Sequence, residues 1–370
     1  MLAVVYSRVQ RWTGLVPALL LVLALVACQA PGTTPAASST SAAALTSPAS
    51  TPRAAPPAAT GTSAVRVGVV GVVGEAGYYL AAAQGYFAQE GLAVELIPFE
   101  PNTSTPALAT DKIDIATGAV TASLLNAVER NLPIKIIGPL TRQEPQASGA
   151  FLVVRKDLID GDQIRQYSDL KGRKIATSGG SGKYMSGRAL ESAGLTVRDA
   201  DMVQMDFPAM VSALSTGAVD AAYLPEPLAT RAVEQGVAVK WRGGGEIVPG
   251  VQQTVVLASG NFLLQHDVAV RWMTAYLRGV RDYDEAFFKQ QHRPQTVDLL
   301  VQALPVKDAR LYDEMGFDWI DPDGKVNVAS LEDQMRWYVE TGEVAMPTDM
   351  ATLVDASLAE AAVARLGAYH

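Results

Sequence analysis

The chain has 370 residues, 49% of them hydrophobic, with a formal net charge of −8; that length suits two lobes, each with its own core. An acidic balance without basic runs argues against nucleic acid or an anionic membrane face as a partner. Cys28 is the single cysteine and His266, His292 and His370 stand far apart, so no disulfide framework, metal centre or cofactor is expected.

Residues 1–28 read as a targeting segment. Arg8 and Arg11 give it a positive start, and Leu15 to Val26 is apolar but too short to span a bilayer comfortably. Leu25-Val26-Ala27-Cys28 matches the bacterial lipoprotein processing box. The expectation is a signal peptide cut before Cys28, a lipid anchor on that residue and an extracytoplasmic location at the cell membrane; the plainer reading is a secretory signal in which the cysteine falls there by chance. Residues 29–64 are almost wholly Ala, Pro, Ser, Thr and Gly, a composition that cannot bury enough apolar area to offset ordering entropy and reads as a disordered tether.

Val65-Arg66-Val67-Gly68-Val69-Val70 reads as a buried strand, followed by a loop with Gly71, Gly74 and Gly77 around Glu75. Tyr78 to Gln84 reads as a helix stopped by Gly85, and Ala93 to Ile97 as a second strand. Such a loop can turn its backbone N–H groups toward a ligand at the helix start. In Phe99 to Pro106, Asn102 and Thr103 are read either as helix caps or as ligand contacts. Ala107-Leu108-Ala109-Thr110-Asp111-Lys112-Ile113-Asp114-Ile115-Ala116 is then echoed by Ala213-Leu214-Ser215-Thr216-Gly217-Ala218-Val219-Asp220-Ala221-Ala222. Each copy lies behind a glycine-rich loop, which argues for two lobes on one plan. Their strand ends should deliver Thr117, Gly118 and Thr121, or Leu224, Pro225 and Glu226, to the carboxyl edge where open parallel sheets hold ligands.

Ala150 to Val154 reads as the strand that crosses between lobes. Ser178-Gly179-Gly180-Ser181-Gly182, with Tyr184 behind it, reads as a second ligand loop, although a plain turn has the same chemistry. Glu226, between Pro225 and Pro227, is either a ligand or hinge residue or a helix-start acid. Thr254 to Ser259 should return the chain to the first lobe. Val268 to Phe288 and Leu331 to Tyr338 show helical spacing, their aromatics Trp272, Tyr276, Tyr283 and Trp337 being expected in the core of helices that flank that lobe. Lys183 is followed by Tyr184, so no Walker loop is present, and nothing in the chain supports a nucleophile elbow or a carboxylate pair for sugar chemistry.

Gly77-Tyr78-Tyr79-Leu80-Ala81-Ala82-Ala83-Gln84-Gly85-Tyr86-Phe87-Ala88-Gln89-Glu90-Gly91-Leu92 and Asp169-Leu170-Lys171-Gly172-Arg173-Lys174-Ile175 resemble recurring phrases of one bacterial family. That family is the substrate-binding proteins of ABC importers for nitrate, taurine, alkanesulfonates and thiamine-pyrimidine precursors. The resemblance implies an α/β, two-lobed type II periplasmic-binding-protein fold: two doubly wound lobes joined by a two-strand hinge. Lobe 1 would comprise residues 65–150 and 256–370, and lobe 2 residues 151–255. It implies a monomer without enzymatic activity that closes on a small molecule and delivers it to a membrane permease driven by a cytoplasmic ATPase. The expected ligand contacts are Glu75, Tyr78, Tyr79, Asn102, Thr103, Gly118, Thr121, Ser178, Gly179, Ser181, Tyr184, Tyr223 and Glu226.

Tyrosines suit a flat heterocycle, and apart from Lys183 no basic residue marks these loops as an anion clamp. Riboflavin is therefore favoured, then a thiamine pyrimidine. Thiamine-pyrimidine relatives carry Trp, Pro-Asn and His in the first loop, and Val72 to Ala76 has none of them. A sulfonate or nitrate-like anion, a ligand sensor and a pyrimidine-synthesising enzyme are the alternatives.

Overall fold

The computed structural model describes residues 61–100 and 103–370. Cys28, the processing box, the linker as far as residue 60, and Asn102 lie outside the described residues. Among the described residues, ten strands form two five-stranded mixed sheets. The first contains β1 (Ser63–Val69), β2 (Leu92–Pro98), β3 (Ile115–Gly118), β4 (Lys135–Gln143) and, much later in the chain, β10 (Val251–Ala258), in the order β2-β1-β3-β10-β4. The second contains β5 (Ala150–Arg155), β6 (Lys174–Thr177), β7 (Asp201–Gln204), β8 (Ala221–Pro225) and β9 (Ala238–Gly243), in the order β7-β6-β8-β5-β9. In each sheet three parallel strands are followed by one that runs antiparallel to its neighbours. This is the duplicated plan that the repeated decapeptide announces, and the fold is the expected two-lobed type II arrangement.

The register shows what the repeat does. Ile115 and Ala116 pair with Val67 and Gly68 in the first sheet; Ala221 and Ala222, the same positions of the second copy, pair with Ile175 and Ala176. The aspartate just before each pair has a structural task. Asp114 Oδ2 accepts the Arg66 backbone N–H at 2.8 Å, and Asp220 Oδ2 accepts that of Lys174 at 3.0 Å. Both carboxylates satisfy a central-strand donor that the short neighbouring strand cannot reach. The apolar pairs that follow are fully buried, as in strands covered on both faces.

The first lobe's core gathers around the helix His266–Phe287, whose buried face carries Trp272, Tyr276 and Tyr283 as the helical spacing predicts. Trp272 stacks on Tyr276 with ring centroids 5.3 Å apart, and Tyr78 tilts against both.

Two boundary expectations need correction. Strand β10 pairs with β4 from Val251↔Gln143 onward, so residues 251–255 belong to the first sheet and the chain crosses back before Val251; Ala150 likewise opens β5 of the second sheet. The tail also does not stay on the first lobe. Helix Val328–Glu340 packs against helix Gly180–Glu191 of the second. There the Trp337 indole N–H donates to Glu191 Oε1 at 2.6 Å and the Tyr184 hydroxyl to Asp333 Oδ2 at 2.6 Å. The same helix is tied to the return strand by Gln334, whose amide donates to the Gln252 carbonyl at 2.9 Å. The aromatic pattern gives the buried face of this helix, not the lobe that receives it. No helix among the described residues is long and apolar enough to cross a membrane.

Candidate functional site

The carboxyl ends of the parallel strands of both sheets face one another across a cavity of about 360 Å³, within the lower part of the ~300–1,000 Å³ range of small-molecule sites. Val72 and Gly74 after β1, Gly118 at the end of β3 and Thr121 beyond it, and Thr141 and Gln253 on β4 and β10 form one wall. Ser178 to Ser181 after β6, Phe207 after β7 and Pro225 at the end of β8 form the other. Three tail residues, Asp318, Tyr338 and Glu343, also line it. Both glycine segments thus border one crevice. A backbone bond also joins the lobes, from the Val73 N–H to the Glu226 carbonyl at 3.2 Å.

Of the residues expected to touch ligand, Gly118, Thr121, Ser178, Gly179 and Ser181 lie in the wall. Thr121 also caps the helix Ala122–Glu129, its hydroxyl accepting the Leu124 N–H at 3.1 Å. Asn102 is outside the described residues. Thr103 is exposed, and its hydroxyl donates to the Glu100 carbonyl, closing a turn.

The acids and tyrosines stand elsewhere. Tyr78 is fully buried among Trp272 and Tyr276, and Tyr79 belongs to the same core, so neither is part of the cavity wall. Tyr184 is buried edge-on against Trp337. Tyr223 sits one layer behind the wall, its hydroxyl donating to Gln253 Oε1 at 3.0 Å. Glu226 is buried and paired with Lys240 at 2.6 Å, while Thr230 and Gly316 donate backbone N–H groups to its carboxylate. Large aromatic rings at strand and helix ends gain more by filling the core than by facing a polar cleft.

Glu75 gives the sharpest correction. Its carboxylate accepts the backbone N–H groups of Val70 at 2.8 Å, Gly71 at 2.7 Å and Val72 at 3.3 Å. The Thr117 hydroxyl donates to it at 2.5 Å. The loop N–H groups read as facing a ligand are therefore held internally, and Glu75 is the loop's brace. Burial pushes its carboxyl up, and the four hydrogen bonds pull the other way.

Among the described residues, Lys183 is the basic side chain of the wall, and it is paired with Glu343 at 2.9 Å. Asp318 is buried, and desolvation pushes its carboxyl up to about 7; the nearby Glu226 adds to the rise, while the bonds from Gly149 and Gln143 oppose it. Tyr338 is fully buried, and its hydroxyl has no hydrogen-bond partner. Phe207 supplies an aromatic surface.

Asp318, Gln253, Phe207 and Tyr338 were not expected from the sequence. One signal for the two polar ones exists: Gln252-Gln253-Thr254 interrupts an apolar strand, and Asp318 lies between Phe317 and Trp319. A polar group inside an apolar run has to find a partner or a ligand.

Two doubly wound lobes with a cavity at their facing strand ends define the class: this is the type II periplasmic-binding-protein fold. Residues 74–285, more than half of the chain, match the model of the family described as NMT1/THI5 like, and the chain belongs to that family. Among solved structures, the periplasmic nitrate-binding protein NrtA from Synechocystis PCC 6803 superposes with a TM-score of 0.68 at 16% identity, over 83% of this chain and 90% of that one. The chain is 31% identical over 144 residues to the 4-amino-5-hydroxymethyl-2-methylpyrimidine phosphate synthase of Aspergillus parasiticus, 39% of this chain and 40% of that protein's length. It is 28% identical over 282 residues to the riboflavin-binding protein RibY of Chloroflexus aurantiacus (strain ATCC 29366 / DSM 635 / J-10-fl), 73% of this chain and 74% of that one.

Proposed function

We propose that the chain is the solute-binding component of an ABC importer, and that it captures a small, flat, uncharged heterocycle in the cavity between its sheets. Riboflavin is the first choice and a thiamine-type pyrimidine the second. One observation carries the choice of chemistry: the basic side chain of the wall is neutralised by Glu343 and the β1-loop N–H groups are held by Glu75, which leaves hydroxyls, the Gln204 and Gln253 amides, the helix start at Gly180 and Asp318 as the polar lining. That lining suits hydrogen bonds to a neutral ring system better than the fixed charge of a sulfonate. The likeness to RibY points the same way.

A sulfonate or nitrate-like anion is the second reading. It is favoured by the start of helix Gly180–Glu191 at the cavity wall and by the likeness to NrtA. In the first reading the ligand bridges the lobes without covalent chemistry, and the closed form docks on a permease. A lipid on Cys28 would hold the protein at the outer face of the cell membrane.

A thermal-unfolding screen of the full-length chain in detergent tests the reading. Riboflavin at a hundredfold excess over its dissociation constant should stabilise the protein by roughly 2.7 kcal/mol, with taurine and nitrate without effect. Stabilisation by taurine or nitrate alone would reverse the choice of ligand.

Gly180 gives a second handle. Its φ is +47°, and a Cβ there would lie 2.6 Å from the Thr121 methyl across the cleft, so only glycine lets the two loops meet. Gly180→Val should weaken riboflavin binding roughly tenfold or more, because affinity falls with the fraction of molecules able to close. An unchanged dissociation constant would show that closure does not need this contact.

A further inference from the structure

Asp318 and Gln253 meet in the cavity wall through one shared donor. Gln143 Nε2 donates to Gln253 Oε1 at 2.6 Å and to Asp318 Oδ1 at 2.5 Å. Asp318 Oδ1 also accepts the Gly149 N–H at 2.7 Å, and Gln253 Oε1 also accepts the Tyr223 hydroxyl at 3.0 Å. Asp318 is 6% exposed and Gln253 8%. These donors settle which atoms remain for the cavity. The carboxyl oxygen Oδ1 is occupied, leaving Oδ2, which is an acceptor once the carboxyl is ionised, above about pH 7; the amide oxygen is occupied, leaving Nε2 as a donor. Space for Oδ2 is kept by glycine on both sides, since a Cβ on Gly149 would sit 2.5 Å from it and one on Gly74 3.3 Å.

We propose that Asp318 Oδ2 and Gln253 Nε2 form a paired acceptor and donor that reads the adjacent N–H and C=O of a cyclic amide or imide. This rests on the binding-protein reading above and names the chemical edge that selects the ligand. The ring N–H donates to Asp318 Oδ2 and the neighbouring ring carbonyl accepts from Gln253 Nε2. Flavins and oxo-pyrimidines carry that edge; taurine and nitrate do not. A site that buries such a pair discriminates strongly, because a ligand without the edge leaves both groups unpaired in a dry pocket.

Titration of the full-length chain in detergent at about pH 8, where Asp318 is ionised, with riboflavin and with riboflavin methylated at its imide nitrogen, tests the proposal. Methylation should raise the dissociation constant of the unaltered protein roughly 10–100-fold. In Asp318→Asn the side-chain oxygen can keep the Gly149 and Gln143 bonds, so its NH₂ group replaces Oδ2 as a donor. Riboflavin should then bind at least about tenfold more weakly, and the two probes should differ by no more than about twofold. Gln253→Leu should weaken both probes by a similar factor, since both retain the ring carbonyl. Equal binding of the two probes to the unaltered protein, or discrimination retained in Asp318→Asn, overturns the proposal. So does failure of riboflavin to bind. If taurine or nitrate then binds saturably, the binding-protein reading survives without this edge; if neither binds, that reading loses its support as well.

Discussion

Replacing Glu75 with alanine is expected to lower the unfolding free energy by about 3–6 kcal/mol, because buried donors left without an acceptor cost roughly 1–3 kcal/mol each. Three backbone N–H groups and the Thr117 hydroxyl converge on this one carboxylate, which is fully buried. The range stops short of the full sum because Val70, Gly71 and Val72 are only partly buried and the adjoining cavity would admit water to part of the vacated space. Glu75→Gln keeps the volume but only one acceptor oxygen, and should fall between the two. Urea unfolding is the check: the midpoint should drop while the slope stays constant. A loss below about 1 kcal/mol would show that the loop closes on itself without the brace.

The second large effect lies in the pH dependence of the ligand-free protein. The Asp318 carboxyl is pushed up to about 7 when folded, against about 3.9 for an unfolded aspartate. Between those values the folded chain holds the proton more tightly than the unfolded chain. This contribution to stability is therefore greatest below about pH 4, declines as pH rises toward 7, and is absent above. The decline is a few kcal/mol at most, about 4 if the whole shift is realised. Asp318→Asn should flatten that segment of the stability curve. Some slope should remain, because burial also raises the Glu75 carboxyl and that shift has the same sign. Identical slopes in the two proteins would mean that Asp318 is hydrated and titrates normally.

The duplicated architecture could be read from the chain because it is written locally. The two decapeptides end in Ile115-Ala116 and Ala221-Ala222, and the sheets pair those residues in the same register. That Gly74 and residues 178–181 border the cavity has the same origin: where a parallel strand ends is a property of a short segment. The identity of the contacting side chains was not local. Tyr78 and Tyr184 follow glycine loops closely in sequence, yet helical geometry turns both rings inward, toward Trp272 and Trp337. Glu75 looked like a ligand acid, but a carboxylate inside a tight loop finds backbone donors before it finds a solute. Asp318 comes from the opposite case. It enters the cavity from a tail segment far along the chain, so its neighbours in sequence say little about its neighbours in space. The position of helix Val328–Glu340 escaped prediction on similar grounds, since a buried helical face does not specify which lobe will cover it.

A single titration bears most directly on the central claim: flavin fluorescence followed as riboflavin is added to the purified full-length chain, then repeated with taurine or nitrate in hundredfold excess. A neutral-heterocycle site predicts saturable one-to-one quenching that neither anion displaces. No response to riboflavin, with saturable binding of taurine or nitrate by calorimetry, would contradict it.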